Sequence, residues 1–279
     1  MKCAWEAFLM LLPQRMRQNV DKLGRATLEE VRLRAGKPVE LILSGRSMIL
    51  SHTATQEDLK FVVNTASRYS PWAASTVAQG YLTAKGGHRI GLCGDCVVQN
   101  GNVSGIRTVQ SMCIRVARCY EGIGKFAPQN GSLLILGPPG SGKTTLLRDV
   151  IRLRSEAGQA VSVVDERGEL FPVEAEFPCG LRTDILTGCS KRQGVDMAVK
   201  TMRPHCVAVD EITSQEDAQA LLDAGWCGVE LLATAHAHDH HDLYRRRIYQ
   251  PIVQGGLFEQ VMILKPDKSW RLERISLCL

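Results

Sequence analysis

The second half of the chain alternates short apolar runs with longer stretches in which apolar residues recur at helical spacing. Short, continuous apolar runs are typical of strands buried on both faces, and their alternation with helices is typical of a parallel sheet with crossover helices. The pattern predicts strands at 132–136, 160–164, 206–209, 230–234, 260–264 and 270–275. It predicts helices at 144–156, 194–202, 214–224 and around 242–253.

The first part of the chain has a less regular pattern. It predicts helices at 4–16 and 55–66, strands at 30–34 and 39–43, a hairpin over 80–92 that turns at 85–88, and further strands within 101–119. A stretch rich in Gly, Pro and polar residues, 120–131, is typical of a domain boundary. We therefore expect a smaller α+β domain at 1–122 followed by an α/β domain at 123–279.

A glycine-rich loop joins the first strand and the first helix of the second domain. Its sequence, Gly137-Pro-Pro-Gly-Ser-Gly-Lys-Thr144, matches the G-x-x-x-x-G-K-[ST] pattern of a P-loop in the required strand–loop–helix context. Backbone amides and the helix N-terminus would bind phosphates, Lys143 the β and γ oxygens, and the Thr144 hydroxyl Mg²⁺. We expect ATP to be bound by Gly137, Pro138, Pro139, Gly140, Ser141, Gly142, Lys143, Thr144 and Thr145.

Two carboxylates follow the predicted strand 206–209 directly. In P-loop ATPases an acid at such a strand end belongs to the Mg²⁺ shell, and a second acid can orient and polarise the attacking water. We assign the metal role to Asp210 and the catalytic role to Glu211. The second domain is therefore predicted to be an enzyme that converts ATP and water to ADP and phosphate.

Polar residues also follow two other strands. After strand 230–234 the sequence is rich in histidine, and we expect Thr234 and His236 to sense the γ-phosphate; a metal site among the histidines is the alternative. After strand 160–164, Glu166 is expected near the metal shell or the water, unless this acidic turn is simply solvated. Such ATPases commonly use an arginine from a second domain or subunit. The sequence leaves open which arginine it is among Arg89, Arg107, Arg115, Arg118, Arg182 and Arg203.

Composition narrows the classes of partner and compartment. A net charge of +5 over 279 residues is too small to indicate nucleic acid. There is no apolar stretch of the ~20 residues that span a bilayer, and the start is a poor signal peptide, so we expect a cytoplasmic protein with only peripheral membrane association. The pair Cys93 and Cys96 lacks a second ligand pair at zinc-site spacing, and we interpret it as structural.

Further blocks resemble one family. The chain resembles the stage III sporulation protein AA family of endospore-forming bacteria, itself similar to type II/IV secretion and pilus-retraction ATPases. The resemblance covers nearly the whole chain and rests, besides the P-loop and Asp210-Glu211, on Glu30-Val-Arg-Leu-Arg-Ala-Gly-Lys-Pro38, Lys85-Gly-Gly-His-Arg-Ile-Gly91, Ile114-Arg-Val-Ala-Arg118, Val164-Asp-Glu-Arg-Gly-Glu169, Leu181-Arg-Thr-Asp184, Met202-Arg-Pro204 and Ala233-Thr-Ala-His236.

The resemblance implies a RecA-like ATPase domain behind the α+β domain, homo-hexameric rings, and work with membrane subunits of the mother cell–forespore secretion or feeding channel, on the cytoplasmic face of the mother-cell membrane around the forespore. It places Lys143 and Thr144 in Walker A, Glu211 in Walker B, Glu166 in the acidic box and His236 in the histidine box. Asp210 stands where the broader secretion ATPases usually have Gly, and Arg167 where they usually have Pro. Both departures weaken any assignment to pilus or type II substrates.

Other classes remain as alternatives. A nucleic-acid-dependent RecA-fold motor would be expected to carry more basic and aromatic residues than the 5% aromatics here. A nucleotide-binding scaffold with little turnover is the alternative that is not an enzyme, and the intact Lys143, Thr144 and Glu211 argue against it. ABC transporters and GTPases are disfavoured because their Leu-Ser-Gly-Gly-Gln and Asn-Lys-x-Asp motifs are missing.

Overall fold

The computed structural model describes residues 1–67 and 73–274 and divides into two compact units. One unit comprises Lys2–Arg118 and the short segment Pro172–Glu176. The other comprises Met1, Cys119–Phe171 and Phe177–Leu279. Within the described residues, no helix has the length and apolar content that crossing a bilayer requires.

The described residues of the first unit form a six-stranded antiparallel sheet, in the order β3-β2-β1-β6-β5-β4, and four helices. The strands are β1 Leu28–Arg34, β2 Pro38–Leu43, β3 Arg46–Thr53, β4 Tyr81–Ala84, β5 His88–Gln99 and β6 Asn102–Arg115, and the helices are α1 Trp5–Leu11, α2 Gln14–Asp21, α3 Gln56–Ser67 and α4 Ala73–Ala78. The core takes Val31 and Leu33 from β1, Phe8 from α1 and Leu59 from α3. Alternate residues of β1 point to the same face of the sheet, and that face is buried in the core.

Three details of this unit differ from the sequence prediction. The single helix expected at 4–16 is two helices, because Pro13 forces the preceding Leu12 into an extended conformation. The strands expected within 101–119 are one long strand, β6. Strand β3 was not predicted. Its residues are all exposed or half-buried, so it lacks the fully buried apolar positions that mark a strand in the sequence.

The second unit is built on a seven-stranded sheet in the order β13-β12-β7-β11-β10-β8-β9, with every neighbouring pair parallel except β12 with β13. Its strands are β7 Leu133–Leu136, β8 Val161–Asp165, β9 Thr183–Thr187, β10 Cys206–Val209, β11 Glu230–Ala235, β12 Gln260–Leu264 and β13 Trp270–Arg274. Its longer helices are α5 Lys143–Glu156, α6 Lys191–Met202 and α7 Gln215–Trp226, and two short ones follow, α8 His240–Arg245 and α9 Gln250–Gln254. The predicted α/β class with crossover helices is confirmed.

The strands buried on both faces agree best with prediction, and β10 and β12 have the predicted bounds. Helix α7 begins with a capping box between Ser214 and Asp217. The edge strand β9 was missed because it is mostly exposed and lacks an apolar run. The helix expected around 242–253 is instead α8, a 3₁₀ turn at Arg247–Tyr249 and α9, with Pro251 in the first turn of α9. Residue 275 of the last predicted strand lies outside the described residues.

Candidate active site

The glycine-rich loop lies at the carboxyl end of β7, between β11 and β12, and leads directly into α5. Gly140 and Gly142 have φ values of 74° and 98°, which L side chains rarely adopt. A Cβ on Gly137 would lie 2.6 Å from Ser141 Oγ and 2.8 Å from the carbonyl oxygen of Leu264. Glycine is therefore required in this loop both by its backbone turns and by the close approach of β12.

Lys143 begins α5 and is buried, with 6% of its surface exposed. Its ammonium donates to the carbonyl oxygens of Gly137 at 2.9 Å and Pro138 at 3.1 Å, so the side chain folds back under the loop. Burial lowers the pKa of Lys143, and the nearby carboxylates of Glu211 and Asp210 act in the opposite direction. The loop thus encloses a cation whose present partners are neutral carbonyls and a histidine.

Asp210 follows β10 directly, and its carboxylate accepts hydrogen bonds from two threonines that are distant in sequence. The Thr144 hydroxyl donates to Asp210 Oδ2 at 3.0 Å, and the Thr234 hydroxyl donates to Asp210 Oδ1 at 3.0 Å. Thr234 is fully buried and also accepts from the backbone N–H of Glu211 at 2.9 Å. In the structure the Thr234 hydroxyl is therefore bonded to both acids, and its expected role as a γ-phosphate sensor stays a prediction.

Glu211 and Lys143 are joined through His236, which follows β11. His236 Nε2 lies 2.9 Å from Glu211 Oε1, and His236 Nδ1 lies 3.1 Å from Lys143 Nζ. Because an ammonium only donates, Nδ1 accepts and Nε2–H donates, which defines the neutral Nε2–H tautomer. Glu211 itself has a φ of 26°, an unusual value for a residue other than glycine that is typical of strained functional positions.

A second acidic group lies beside this constellation. An open cleft is lined by residues from β8, α6 and the end of β10, among them Glu166, Asp210 and Glu211. Glu166 accepts from the buried Lys191 at 2.8 Å, and Lys191 also lies 3.6 Å from Asp217. Glu166 therefore shares the cleft with the two acids of β10, as its strand position suggested, while its carboxylate is paired with a lysine.

Asp165, one residue before Glu166, shapes the backbone of this turn. Its carboxylate accepts from the backbone N–H groups of Glu169 at 2.7 Å, Leu170 at 3.0 Å and Phe171 at 2.8 Å. Burial raises the pKa of Asp165, and the hydrogen bonds from Phe171 and Leu170 act in the opposite direction. The role of Asp165 in the structure is to close the turn that carries Glu166.

The six candidate arginines have different surroundings. Arg118 donates to the backbone carbonyls of Arg25 and Leu28, Arg115 lies 3.3 Å from Glu30, and Arg89 stacks on the ring of Tyr81. Three others are at exposed positions, namely Arg107, Arg182 and Arg203. The choice of arginine stays a prediction.

Two further groups that the sequence raised are also located. Cys93 and Cys96 are exposed free thiols on β5. His240 lies 2.8 Å from Glu273, and its ring lies 4.0 Å from that of His241. Across residues 1–67 and 73–274, no three His, Cys, Asp or Glu side chains are grouped as a metal site requires.

The residues present fit a nucleoside triphosphate and Mg²⁺. Ser141 Oγ is buried inside the loop without a hydrogen-bond partner in the part of the chain that the structure describes, so a donor is free for a phosphate oxygen. The loop precedes the N-terminus of the 14-residue helix α5, which favours an anion. Thr144 and Asp210 offer oxygen ligands of the kind that Mg²⁺ prefers.

The sequence prediction included the loop, Asp210, Glu211, Glu166 and His236, all of which the fold brings to one edge of the sheet. It missed Lys191, whose signal was weak: a lysine at the start of a helix is usually solvated. It also missed Lys268, in the β12–β13 turn, whose ammonium donates to the Gly140 carbonyl.

The RecA-like sheet, the P-loop and the two acids beside it define the class of P-loop proteins with an ATPase-like fold. Two solved structures show the same fold. The pilus retraction motor PilT with bound ADP has a TM-score of 0.63 and 15% identity, over 95% of this chain and 83% of that one. The ATPase DotB of Legionella pneumophila has a TM-score of 0.60 and 17% identity, over 93% of this chain and 79% of that one. The sequence profile of the family described as "Sporulation stage III, protein AA" matches residues 5–272. Stage III sporulation protein AA of Bacillus subtilis (strain 168) is 36% identical over 277 residues, 93% of this chain and 90% of that protein. The chain belongs to the sporulation stage III protein AA family.

Proposed function

We propose that this protein binds Mg-ATP at the loop 137–144 and hydrolyses it, with Glu211 as the residue that orients and polarises the attacking water. The observation that carries the proposal is the hydrogen-bonded chain from Lys143 through His236 to Glu211. It joins the phosphate-binding lysine, which follows β7, to the carboxylate that follows β10, through a histidine that follows β11, the strand between them. A scaffold that only binds nucleotide has no need of such a link.

The side chains divide the work by position. Gly137–Thr145 hold the phosphates, with Lys143 as the cation, and Thr144 with Asp210 holds Mg²⁺. When bound, Mg²⁺ supplies positive charge that neutralises the phosphate oxygens. Glu211 accepts a proton from the water, and its backbone is oriented for this by the buried Thr234. His236 Nε2 donates to Glu211 Oε1 and so holds that carboxylate in position beside the loop.

Glu166 is placed to act on the same metal shell or water once it parts from Lys191, and this is the role we propose for the acidic turn. His236 contacts Lys143 on one side and Glu211 on the other, so it is the group we propose to sense the γ-phosphate. An arginine of the other domain or of a neighbouring subunit would neutralise the remaining charge of the transition state.

For the biological role we propose an ATPase that powers or assembles the mother cell–forespore channel during endospore formation. Membership of the sporulation family and a fold shared with PilT and DotB support this. The protein would act as a homo-hexamer at the cytoplasmic face of the mother-cell membrane, bound peripherally to membrane subunits. No nucleic-acid partner is expected.

The test is ATP turnover by the purified wild-type protein, measured with native mass at several protein concentrations, beside Lys143→Ala and Glu211→Gln. We expect turnover that rises as the protein oligomerises, no Mg-ATP binding by Lys143→Ala, and binding without turnover by Glu211→Gln. Lys200→Ala, which changes an exposed lysine paired with Asp196, should behave as wild type. Equal background turnover by all variants with equal binding would favour the scaffold, and turnover that requires added nucleic acid would favour the motor.

A further inference from the structure

An exposed aromatic pair lies at the same edge of the sheet as the phosphate-binding loop. The rings of Phe126 and Trp270 stack, with their centroids 5.8 Å apart and their planes inclined by 28°. Phe126 is 58% exposed and Trp270 is 44% exposed. Large aromatic rings left open to water in a stacked pair are typical of binding surfaces.

Trp270 is tied to the loop through β12 and the turn before β13. It pairs across the two strands with Leu264, whose carbonyl oxygen closely approaches Gly137. Two residues earlier, the Lys268 ammonium donates to the carbonyl oxygen of Gly140. The hairpin of β12 and β13 that presents Trp270 is therefore in contact with the phosphate loop at two points, the end of β12 and the turn.

Phe126 belongs to a 3₁₀ helix that contacts α5, the helix that follows the phosphate-binding loop. It ends the 3₁₀ helix Ile123–Phe126, in which the Gly124 N–H donates to Asp149 Oδ2 of α5 at 2.7 Å. A Cβ on Gly124 would lie 3.0 Å from the backbone nitrogen of Val150, so this 3₁₀ helix packs directly on α5. Both aromatic rings are thus held by elements that contact either the loop or α5.

We propose that the Phe126–Trp270 pair is the platform on which the base of the bound nucleotide stacks. The proposal rests on the proposed function, because it requires the phosphates to lie in the loop 137–144. A base has a flat π-face that stacks on an aromatic ring, whereas the phosphate loop contacts none of the base. The exposed rings beside the loop therefore supply a contact for the base, which the P-loop does not provide. Lys125, 4.9 Å from the ring centroid of Phe126, adds a cation to the same surface.

The experiment compares Mg-ATP with Mg-tripolyphosphate, which carries the phosphates and lacks both the ribose and the base, by calorimetric titration of the full chain. Trp270→Ala should weaken Mg-ATP about tenfold or more, in line with the cost of losing one base–aromatic stack, and leave the tripolyphosphate affinity unchanged. Trp270→Phe should recover most of the Mg-ATP affinity. The matched control is Trp226→Ala: Trp226 is 70% exposed at the end of α7, on the opposite edge of the sheet from the loop, and its loss should change neither affinity.

A second readout, tryptophan fluorescence, needs only the wild-type protein and Trp270→Phe. Mg-ATP should quench tryptophan emission in the wild-type protein, tripolyphosphate should not, and the ATP-dependent quenching should disappear in Trp270→Phe. The proposal is overturned if Trp270→Ala binds Mg-ATP as wild type does, if it loses both ligands equally, or if it changes only the oligomeric mass, which would make the pair a contact between copies. If the wild-type protein binds neither ligand, the proposed function fails and the platform with it.

Discussion

Replacing Thr234 by valine tests whether this buried hydroxyl orients the two acids. Valine has nearly the shape of threonine, so the change removes a hydroxyl and leaves no cavity. The lost bonds are the donation to Asp210 Oδ1 at 3.0 Å and the acceptance from the Glu211 N–H at 2.9 Å. That N–H keeps a bond of 3.1 Å to Asp210 Oδ1, and Asp210 keeps Thr144, so neither group is left without a partner.

The expected cost follows from what is lost. A hydrogen bond to a charged group contributes about 1.5–3 kcal/mol, and the remaining partners lower the loss, so Thr234→Val should reduce the free energy of unfolding by about 2 kcal/mol. Turnover should fall about tenfold or more, since the backbone of Glu211, at a φ of 26°, loses a hydrogen bond that fixes it. Mg-ATP affinity should change little, because Lys143 and the loop are untouched.

The assay is urea unfolding without nucleotide, followed by circular dichroism, together with steady-state turnover. Thr201→Val is the matched control: Thr201 is exposed and its hydroxyl donates only to the Met197 carbonyl oxygen of its own helix. It should stay within about 0.5 kcal/mol of wild type. A Thr234→Val protein that is as stable as the control and turns over ATP at the wild-type rate would show that the Thr234 hydroxyl does not orient the two acids.

Three other predictions concern single buried groups. Burial lowers the pKa of His88 to about 4, so between pH 6.5 and 4 the unfolded chain takes up a proton that the folded chain does not. Stability should therefore fall by about 2 kcal/mol between pH 7 and pH 5 in urea unfolding, and His88→Gln should lose this dependence. Arg154, fully buried, donates to Glu230 at 2.9 Å and to the Gly131 carbonyl at 2.7 Å; Arg154→Met should cost about 3 kcal/mol in the same assay, and an unchanged unfolding midpoint would contradict this. Lys191→Met removes the cation paired with Glu166 and should lower turnover more than Mg-ATP affinity; a variant with wild-type turnover would exclude Lys191 from orienting that acid.

How much the sequence could predict depended on burial. Strands covered on both faces, such as Cys206–Val209, leave a continuous apolar run that needs no tertiary information to recognise. The P-loop is equally local, because its glycines, lysine and threonine are consecutive. The exposed edge strand Thr183–Thr187 has no such run, and only its pairing with β8 makes it a strand.

Contacts between distant segments could not be predicted. Lys191 and Glu166 lie 25 positions apart, and Lys268 and Gly140 128 positions apart, and no periodicity links them. The contacts of Thr234 also depend on packing. In the sequence it lies close to His236, whereas in the fold it is buried and donates to Asp210. Two helix breaks do have a local signal in the sequence, because Pro13 and Pro251 each lie inside a segment that was predicted to be one helix.

The central claim, that Glu211 acts on the water while Lys143 and the loop bind ATP, is tested most directly by the fate of bound nucleotide. Wild type and Glu211→Gln are each mixed with Mg-ATP at enzyme excess, quenched at intervals and analysed for ATP and ADP. We expect wild type to convert bound ATP to ADP and Glu211→Gln to retain it as ATP. Conversion at the wild-type rate by Glu211→Gln would show that Glu211 does not act on the water.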